Sequence, residues 1–339
     1  MNLAGPEKAN FFMISKNRIK YMIGWAITVA FVALALESVD FQDLISALQG
    51  RNFFWVIPAI LLIYFSYLLR AVRWWVMLSW QGLQVNFWLA TRSMFIGNAL
   101  NNILPLRGGD IYRIVTFSEK SNLSTGSILT CAAIERILDL ASVSIFLCVG
   151  VVMSTESLGL DKAFDNMLSG VYVFLAAAFG SFLLVGTKPK YVQRFLHCLN
   201  IRLPFLQRTT NFLLTMVDAL ITVATVTNLM KLLLISLTAW LMEACAYLAI
   251  QKVFLIQLPL SALFAVAAVA TLSTLLPSSP GYVGTYHYFL ALAVMSYGPT
   301  KDLSAAYSIV MHFTLWASVC FLGLGAYIYE RLGLKDGNQ

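Results

Sequence analysis

The feature that most constrains this chain is the recurrence of unbroken apolar runs about 20 residues long, the length that carries a helix across roughly 30 Å of hydrocarbon. Such runs fall at 21–38, 54–70, 126–153, 169–187, 229–250 and 305–329. A membrane β-barrel alternates apolar and polar residues in short segments. These runs are continuous, so each reads as a helix. Of the 339 residues 59% are hydrophobic and 12% charged, whereas a soluble domain carries about 25% charged residues. Too little polar surface is left to coat a globule of this size, which excludes a soluble enzyme. The expected fold is an all-α polytopic membrane protein with about six full transmembrane helices.

Charge between the runs sets their orientation. Lys8, Lys16, Arg18 and Lys20 precede the first run, Arg70 and Arg73 follow the second, and Lys188, Lys190, Arg194, Arg202 and Arg208 follow the fourth. Arg331 and Lys335 follow the last. The opposite breaks hold Arg51, Lys162, Lys252 and Lys301. Positive charge favours the cytoplasmic side. Segment 1–20 and tail 330–339 are therefore both expected in the cytoplasm, around a transmembrane domain over 21–329 in a bacterial cytoplasmic membrane. The net charge of +7 is then a topology signal, and no nucleic-acid partner is expected. Ala33-Leu34-Ala35 looks like a cleavage site, but with so many spans following, 21–38 reads as a retained span. The five cysteines have no CxxC spacing and the three histidines are far apart in sequence, so no metal site or cofactor is expected.

Two apolar segments do not read as plain spans. Segment 85–104 runs into Leu104-Pro105-Leu106-Arg107-Gly108-Gly109-Asp110, and 260–276 runs into Leu276-Pro277-Ser278-Ser279-Pro280-Gly281. Proline removes a helix hydrogen bond and glycine loosens the backbone. If each segment enters and turns back, over about 85–117 and 260–297, the charge asymmetry is preserved. The two breaks also align with each other at an offset of 172 residues. Each half, about 21–153 and 169–329, then reads span, span, re-entrant hairpin, span, and the halves are inverted. Interrupted segments at matching places in two inverted halves point to a transport site near the midplane. The second hairpin contributes Pro277, Pro280, Gly281, Gly284 and Tyr286.

A charge at membrane depth is costly and functional by default. The first hairpin carries Arg92, Arg107, Asp110 and Arg113, the third span Glu135, Arg136 and Asp139, the fifth Glu243, and the second hairpin His287. One reading is a set of ion pairs that fix helix register, Arg136 with Asp139 and Arg107 or Arg113 with Asp110 or Glu135. The other is an anion site, because arginine exceeds what the local acids neutralise and its planar fork suits phosphate oxygens. The candidate headgroup ligands are Arg92, Asn98, Asn102, Arg107, Gly109, Arg113 and Arg136, with Asn101 and Gly108 beside them. Asp110, Glu135, Asp139, Glu243 and His287 are coupling or ion-pair candidates. Arg70 and Arg73, followed by Trp74 and Trp75, read as an interfacial anchor or as an entry mouth for an anionic lipid.

At these residues the chain resembles the flippase-like membrane domain of lysyl-phosphatidylglycerol synthases and its stand-alone homologues. The resemblance rests on Asn102, Leu104-Pro105, Arg107, Gly109, Asp110 and Arg113; on Glu135, Arg136 and Asp139; on Arg70, Arg73 and Trp74; and on Pro280, Gly281 and Gly284. Asp110 stands where many members have glutamate, and His287 where the second hairpin often has a carboxylate. The chain ends at Gln339, soon after its last expected span, so the soluble aminoacyl-transferase chemistry of the synthases is not expected of it. The resemblance implies lipid movement across the bilayer. The leading expectation is thus a flippase for an anionic lipid, either a phospholipid or a polyprenyl-phosphate-linked sugar. The alternatives are a membrane glycosyltransferase using a lipid-linked donor, or a scaffold for a partner enzyme that modifies lipids. No catalytic residue is assigned, and the oligomeric state is open.

Overall fold

The computed structural model describes residues 41–81, 85–104, 107–121, 123–153, 207–223, 225–276 and 280–332, with Lys190, Tyr191, 193–195 and Cys198. The runs 21–38 and 169–187, segment 1–20, most of the tail, Pro105 and Pro277 lie outside these residues. Among the described residues the helices are, in chain order, α1 (Phe41–Leu48), α2 (Val56–Ser79), α3 (Phe87–Ile103), α4 (Gly108–Lys120), α5 (Thr125–Met153), α6 (Gln207–Val223), α7 (Val226–Phe254), α8 (Leu260–Ser273), α9 (Thr285–Met295) and α10 (Lys301–Arg331). Of these, α2 (with the 3-10 turn Phe53–Trp55 before it), α5, α7 and α10 are long and apolar enough to cross a membrane.

Local chemistry sets the ends. Asn86, Thr225 and Thr300 each accept a hydrogen bond from a backbone N–H in the first turn of α3, α7 and α10, which satisfies donors that the helix itself leaves open. Helix α3 stops because Leu104 turns extended, at φ −92° and ψ 142°, the conformation required of a residue before proline. At 17 and 13 residues, α3 and α4 reach only about 25 and 20 Å, short of the hydrocarbon thickness. Helices α8 and α9, at 14 and 11 residues, reach only about 21 and 16 Å. Helix α8 is apolar on every side and is buried nearly all round. Helix α6, which packs on α5, is an element that the sequence reading leaves unassigned.

Helix pairs recur in the packing at the offset of 172 residues noted in the sequence. Under the offset α2 corresponds to α7, α3 to α8 and α5 to α10. Helices α2 and α7 run antiparallel against each other, with Arg51 bonded to the Phe254 carbonyl near one end and Arg73 to Ser236 near the other. Helix α3 lies along α10, and α8 lies along α5, so one contact occurs twice. Each copy is built on a glycine. A Cβ on Gly323 of α10 would collide with Ala99 Cβ and lie 2.9 Å from the Phe95 carbonyl oxygen. A Cβ on Gly150 of α5 would lie 2.6 Å from the Ala265 nitrogen and 2.9 Å from the Ser261 carbonyl oxygen. Small residues give membrane helices this approach, since water contributes no force between them there. The two breaks also touch: the Asn102 carbonyl accepts from the Trp316 indole at 3.4 Å and sits 3.2 Å from where a Cβ on Gly281 would lie.

Candidate functional site

Four helices bring charge to one depth. Asp139 is the midpoint of α5, 14 residues from each end, about 21 Å along the axis either way. Its carboxylate accepts from Arg73 Nη1 of α2 at 2.7 Å and from the Trp240 indole of α7 at 3.2 Å. Arg73 also donates to the Ser236 hydroxyl. Arg70, one turn earlier on α2, pairs with Glu243 of α7 at 2.7 Å, and its guanidinium lies over the Trp240 ring at 4.1 Å. One turn before Asp139, Glu135 divides its two oxygens between Arg113 of α4 at 3.1 Å and Arg136 at 2.9 Å. Asp110 lies 3.5 Å from Arg136 and 3.6 Å from Arg113. Asn101 fixes it from α3, donating to its carboxylate at 3.1 Å and accepting its backbone N–H at 3.0 Å. Buried charges persist only when paired and hydrogen-bonded in this way.

Beside this network lies a cavity of about 610 Å³. It receives Arg70, Asn98, Asn101, Asn102, Arg107, Arg136, Asp139, Glu243 and Tyr286 from the residues singled out by sequence. The other sequence candidates sit elsewhere. Arg113, 1% exposed, is clasped between Glu135 and Asp110 under the Trp74 ring, with its guanidinium 4.6 Å from the ring centre. Arg73 is wholly buried behind Asp139. Arg92 lies 5.2 Å from the Tyr329 ring, at the far end of α3. Gly109 is where α4 meets α3: a Cβ there would lie 2.6 Å from the Asn101 nitrogen, so its place is explained by helix contact. Arg136 turns to Glu135 and Asp110, whereas the i,i+3 spacing suggests Asp139 as its partner. Asp139 faces α2 and is taken by Arg73. Glu135, Asp110 and His287 stand behind the cavity wall, in contact with residues that line it.

The two interruptions deliver matched residues to the cavity. Arg107 after the first and Tyr282 after the second both adopt left-handed backbone, at φ 54° and 58°, and both line it. A side chain in that region costs of order 1–2 kcal/mol, and such outliers cluster at functional sites. Several lining residues escape the sequence reading, among them Tyr67, His312 and Trp316. Each is a lone polar or aromatic residue on an apolar helix, a pattern that packing alone also produces.

Five guanidiniums (Arg70, Arg73, Arg107, Arg113 and Arg136) meet four carboxylates (Asp110, Glu135, Asp139 and Glu243) in and around this site. Among the described residues Arg107 makes no ion pair. Arg136 keeps its side chain 38% exposed, whereas Arg113 keeps 1%. Three guanidiniums (Arg70, Arg107 and Arg136) and two carboxylates (Asp139 and Glu243) thus line one cavity with asparagine side chains beside them, an arrangement able to hold an anion.

Known proteins place this architecture. The chain is 25% identical over 246 residues to the UPF0104 membrane protein MJ1078 of Methanocaldococcus jannaschii, covering 70% of this chain and 97% of that protein. It is 28% identical over 124 residues to the UPF0104 membrane protein PH1989 of Pyrococcus horikoshii, covering 36% and 37%. It is 27% identical over 154 residues to the glycosyltransferase AglD of Haloferax volcanii, covering 45% of this chain and a quarter, 25%, of that protein. Residues 21–323 match the family described as the lysylphosphatidylglycerol synthase TM region. With nearly the whole chain matched, and an apolar helical architecture to go with it, this is an integral membrane protein that belongs to the lysylphosphatidylglycerol synthase TM region family.

Proposed function

We propose that the protein moves an anionic lipid between the leaflets of the bilayer, its headgroup held in the cavity by Arg107 and Arg136 with Asn98 and Asn102. The observation that carries this reading is the cavity itself, set beside two interrupted helical segments and lined by Arg107, which makes no ion pair among the described residues. The short α3–α4 and α8–α9 pairs enter the membrane from opposite faces and turn back, and the halves are inverted. The antiparallel α2–α7 packing and the twice-used glycine contact support that arrangement. The two halves rock about the headgroup, exposing it to each leaflet in turn. Both termini lie on the cytoplasmic face of a bacterial cytoplasmic membrane. Arg113 and Arg73 hold the lattice, and Arg70 stands at its edge toward Glu243. The lipid is a phospholipid or a polyprenyl-phosphate-linked sugar, and a partner enzyme of lipid or glycan assembly supplies or consumes it.

In proteoliposomes containing a fluorescent phosphatidylglycerol, Arg107→Ala is expected to abolish lipid movement while the purified variant elutes and melts as the parent does, and Arg136→Ala to abolish it with a lower melting point, because Glu135 and Asp110 lose a partner. Undiminished movement in both would reject the site. The partial likeness to a glycosyltransferase supports a second reading, sugar transfer from a lipid-linked donor. Mass spectrometry of reactions with a polyprenyl-phosphate sugar and membrane lipids separates the two: a new glycosylated product would favour transfer.

A further inference from the structure

On the side of the cavity built by the second half, two histidines 25 residues apart in sequence meet. Buried His312 of α10 lines the cavity, and its Nδ1 lies 3.1 Å from Nε2 of His287 on α9. The rings cross at 87°. His287 Nδ1 accepts the backbone N–H of Gly284 at 3.3 Å. An N–H is donated only to a bare ring nitrogen, so His287 carries its hydrogen on Nε2 and donates it to His312 Nδ1. His312 therefore carries its own hydrogen on Nε2. All four ring nitrogens are thereby assigned in an uncharged pair. The chain of bonds begins in the turn that interrupts the second hairpin, where Gly281 and Gly284 have φ of 72° and 92°.

We infer that the His287–His312 pair is a proton-binding site through which headgroup binding is coupled to one proton. This rests on the reading of the cavity as an anionic-lipid site. An extra proton needs a ring nitrogen that is now an acceptor. Shared between the rings, it forces a hydrogen onto His287 Nδ1, directly against the Gly284 N–H. Two donors repel, so the Gly284 N–H is released, and with it the start of α9. Proton uptake thus unfastens the turn at the tip of the second hairpin, beside the headgroup.

The surroundings make that uptake depend on the headgroup. Tyr286 of α9 stacks on His312 at 4.6 Å and is tied to Tyr247 of α7 at 2.5 Å, which in turn holds Tyr307 of α10 through its carbonyl. Across the cavity stand Tyr67 and Arg70 of α2, Arg107 before α4, Arg136 and Asp139 of α5, Glu243 of α7, and Tyr282. Helix α8 carries no titratable residue. Among the described residues no carboxylate makes an ion pair with either imidazole, so a charged pair gains its counter-ion when a phosphate enters the cavity. Binding linkage is reciprocal: if the lipid raises the proton affinity, the proton raises the lipid affinity.

The test uses full-length protein in nanodiscs and phosphatidylglycerol, whose phosphodiester keeps one negative charge throughout. Affinity is measured in steps between about pH 5 and 8, and buffers of different ionisation heat are used to count protons by calorimetry. The expected result is tighter binding as pH falls, approaching about tenfold per unit for one linked proton, with uptake of one proton per lipid. His287→Gln and His312→Gln are each expected to flatten that slope, and Glu330→Gln, outside the cavity, to keep it. Lipid binding with no slope and no proton uptake in the parent protein, a measurement that needs no variant, overturns the coupling and leaves the lipid site standing. A slope that survives both histidine substitutions also overturns it. Failure to bind phosphatidylglycerol at every pH would remove the lipid site, and the coupling with it.

Discussion

Replacing Gly323 by alanine tests the contact on which the fold's two-part packing rests. Alanine raises intrinsic helix stability by about 1 kcal/mol over glycine, so on an isolated helix the change stabilises. In this structure the added methyl meets Ala99 Cβ and the Phe95 carbonyl oxygen at 2.9 Å. Neither neighbour is the loose end of a side chain, so α10 has to back away from α3, and overpacking of this kind costs about 1–3 kcal/mol. Gly325, two residues on, provides a matched control, because nothing lies within 4 Å of a Cβ there. The propensity gain is common to both substitutions and cancels. Gly325→Ala is therefore expected to exceed Gly323→Ala in stability by about 1–3 kcal/mol, the overpacking cost alone. The assay is reversible unfolding in mixed micelles, with thermal melting of the purified protein in detergent as a check. Gly150→Ala belongs in the same series, since its methyl meets the backbone of Ala265 and Ser261. If Gly323→Ala proves as stable as Gly325→Ala, the α3–α10 approach described above is wrong.

Further outcomes follow from the lattice. Arg107→Gly relieves left-handed strain and is expected to stabilise the protein by about 1 kcal/mol while lipid movement falls, a split visible by comparing melting with proteoliposome assays. Arg73→Ala leaves Asp139 without its nearest guanidinium and is expected to cost about 3–5 kcal/mol. Arg73→Ala with Asp139→Ala should recover part of that, giving a coupling above about 0.5 kcal/mol in a double-mutant cycle. The Lys120–Glu330 pair, with side chains 40% and 34% exposed, links α4 to α10. Breaking it is expected to change stability by less than about 1 kcal/mol, and the effect should vanish in high salt.

Much of the fold was legible because long apolar helices announce themselves. The described helices α2, α5, α7 and α10 overlie four of the six expected runs, and the interruptions fall where Leu104-Pro105 and Leu276-Pro277 mark them. Partner choice was not legible. Sequence spacing sees only neighbours on one helix, so it joins Arg136 to Asp139, whereas Asp139 meets α2 and α7 across space. The exposure of the arginines was equally hidden: Arg107, Arg113 and Arg136 look alike in sequence, and only packing under Trp74 takes Arg113 away from the cavity. Helix α6 is hidden because, at 17 residues with Arg208 in its first turn and the run at 229–250 soon after it, it is too short to announce a span. His287 and His312 could not have been paired, since α9 and α10 must fold back on each other before the rings meet.

The ion pair between Arg70 and Glu243 joins α2 to α7, while the ion pairs of Arg73, Arg113 and Arg136 stay among α2, α4 and α5. Any displacement that parts α2 from α7 leaves Glu243 without its guanidinium, while Arg70 keeps Asp139 at 3.9 Å. A buried carboxylate deprived of its partner costs about 3–5 kcal/mol. Under the transport proposed above, that cost would hold an unladen protein shut and keep it from leaking.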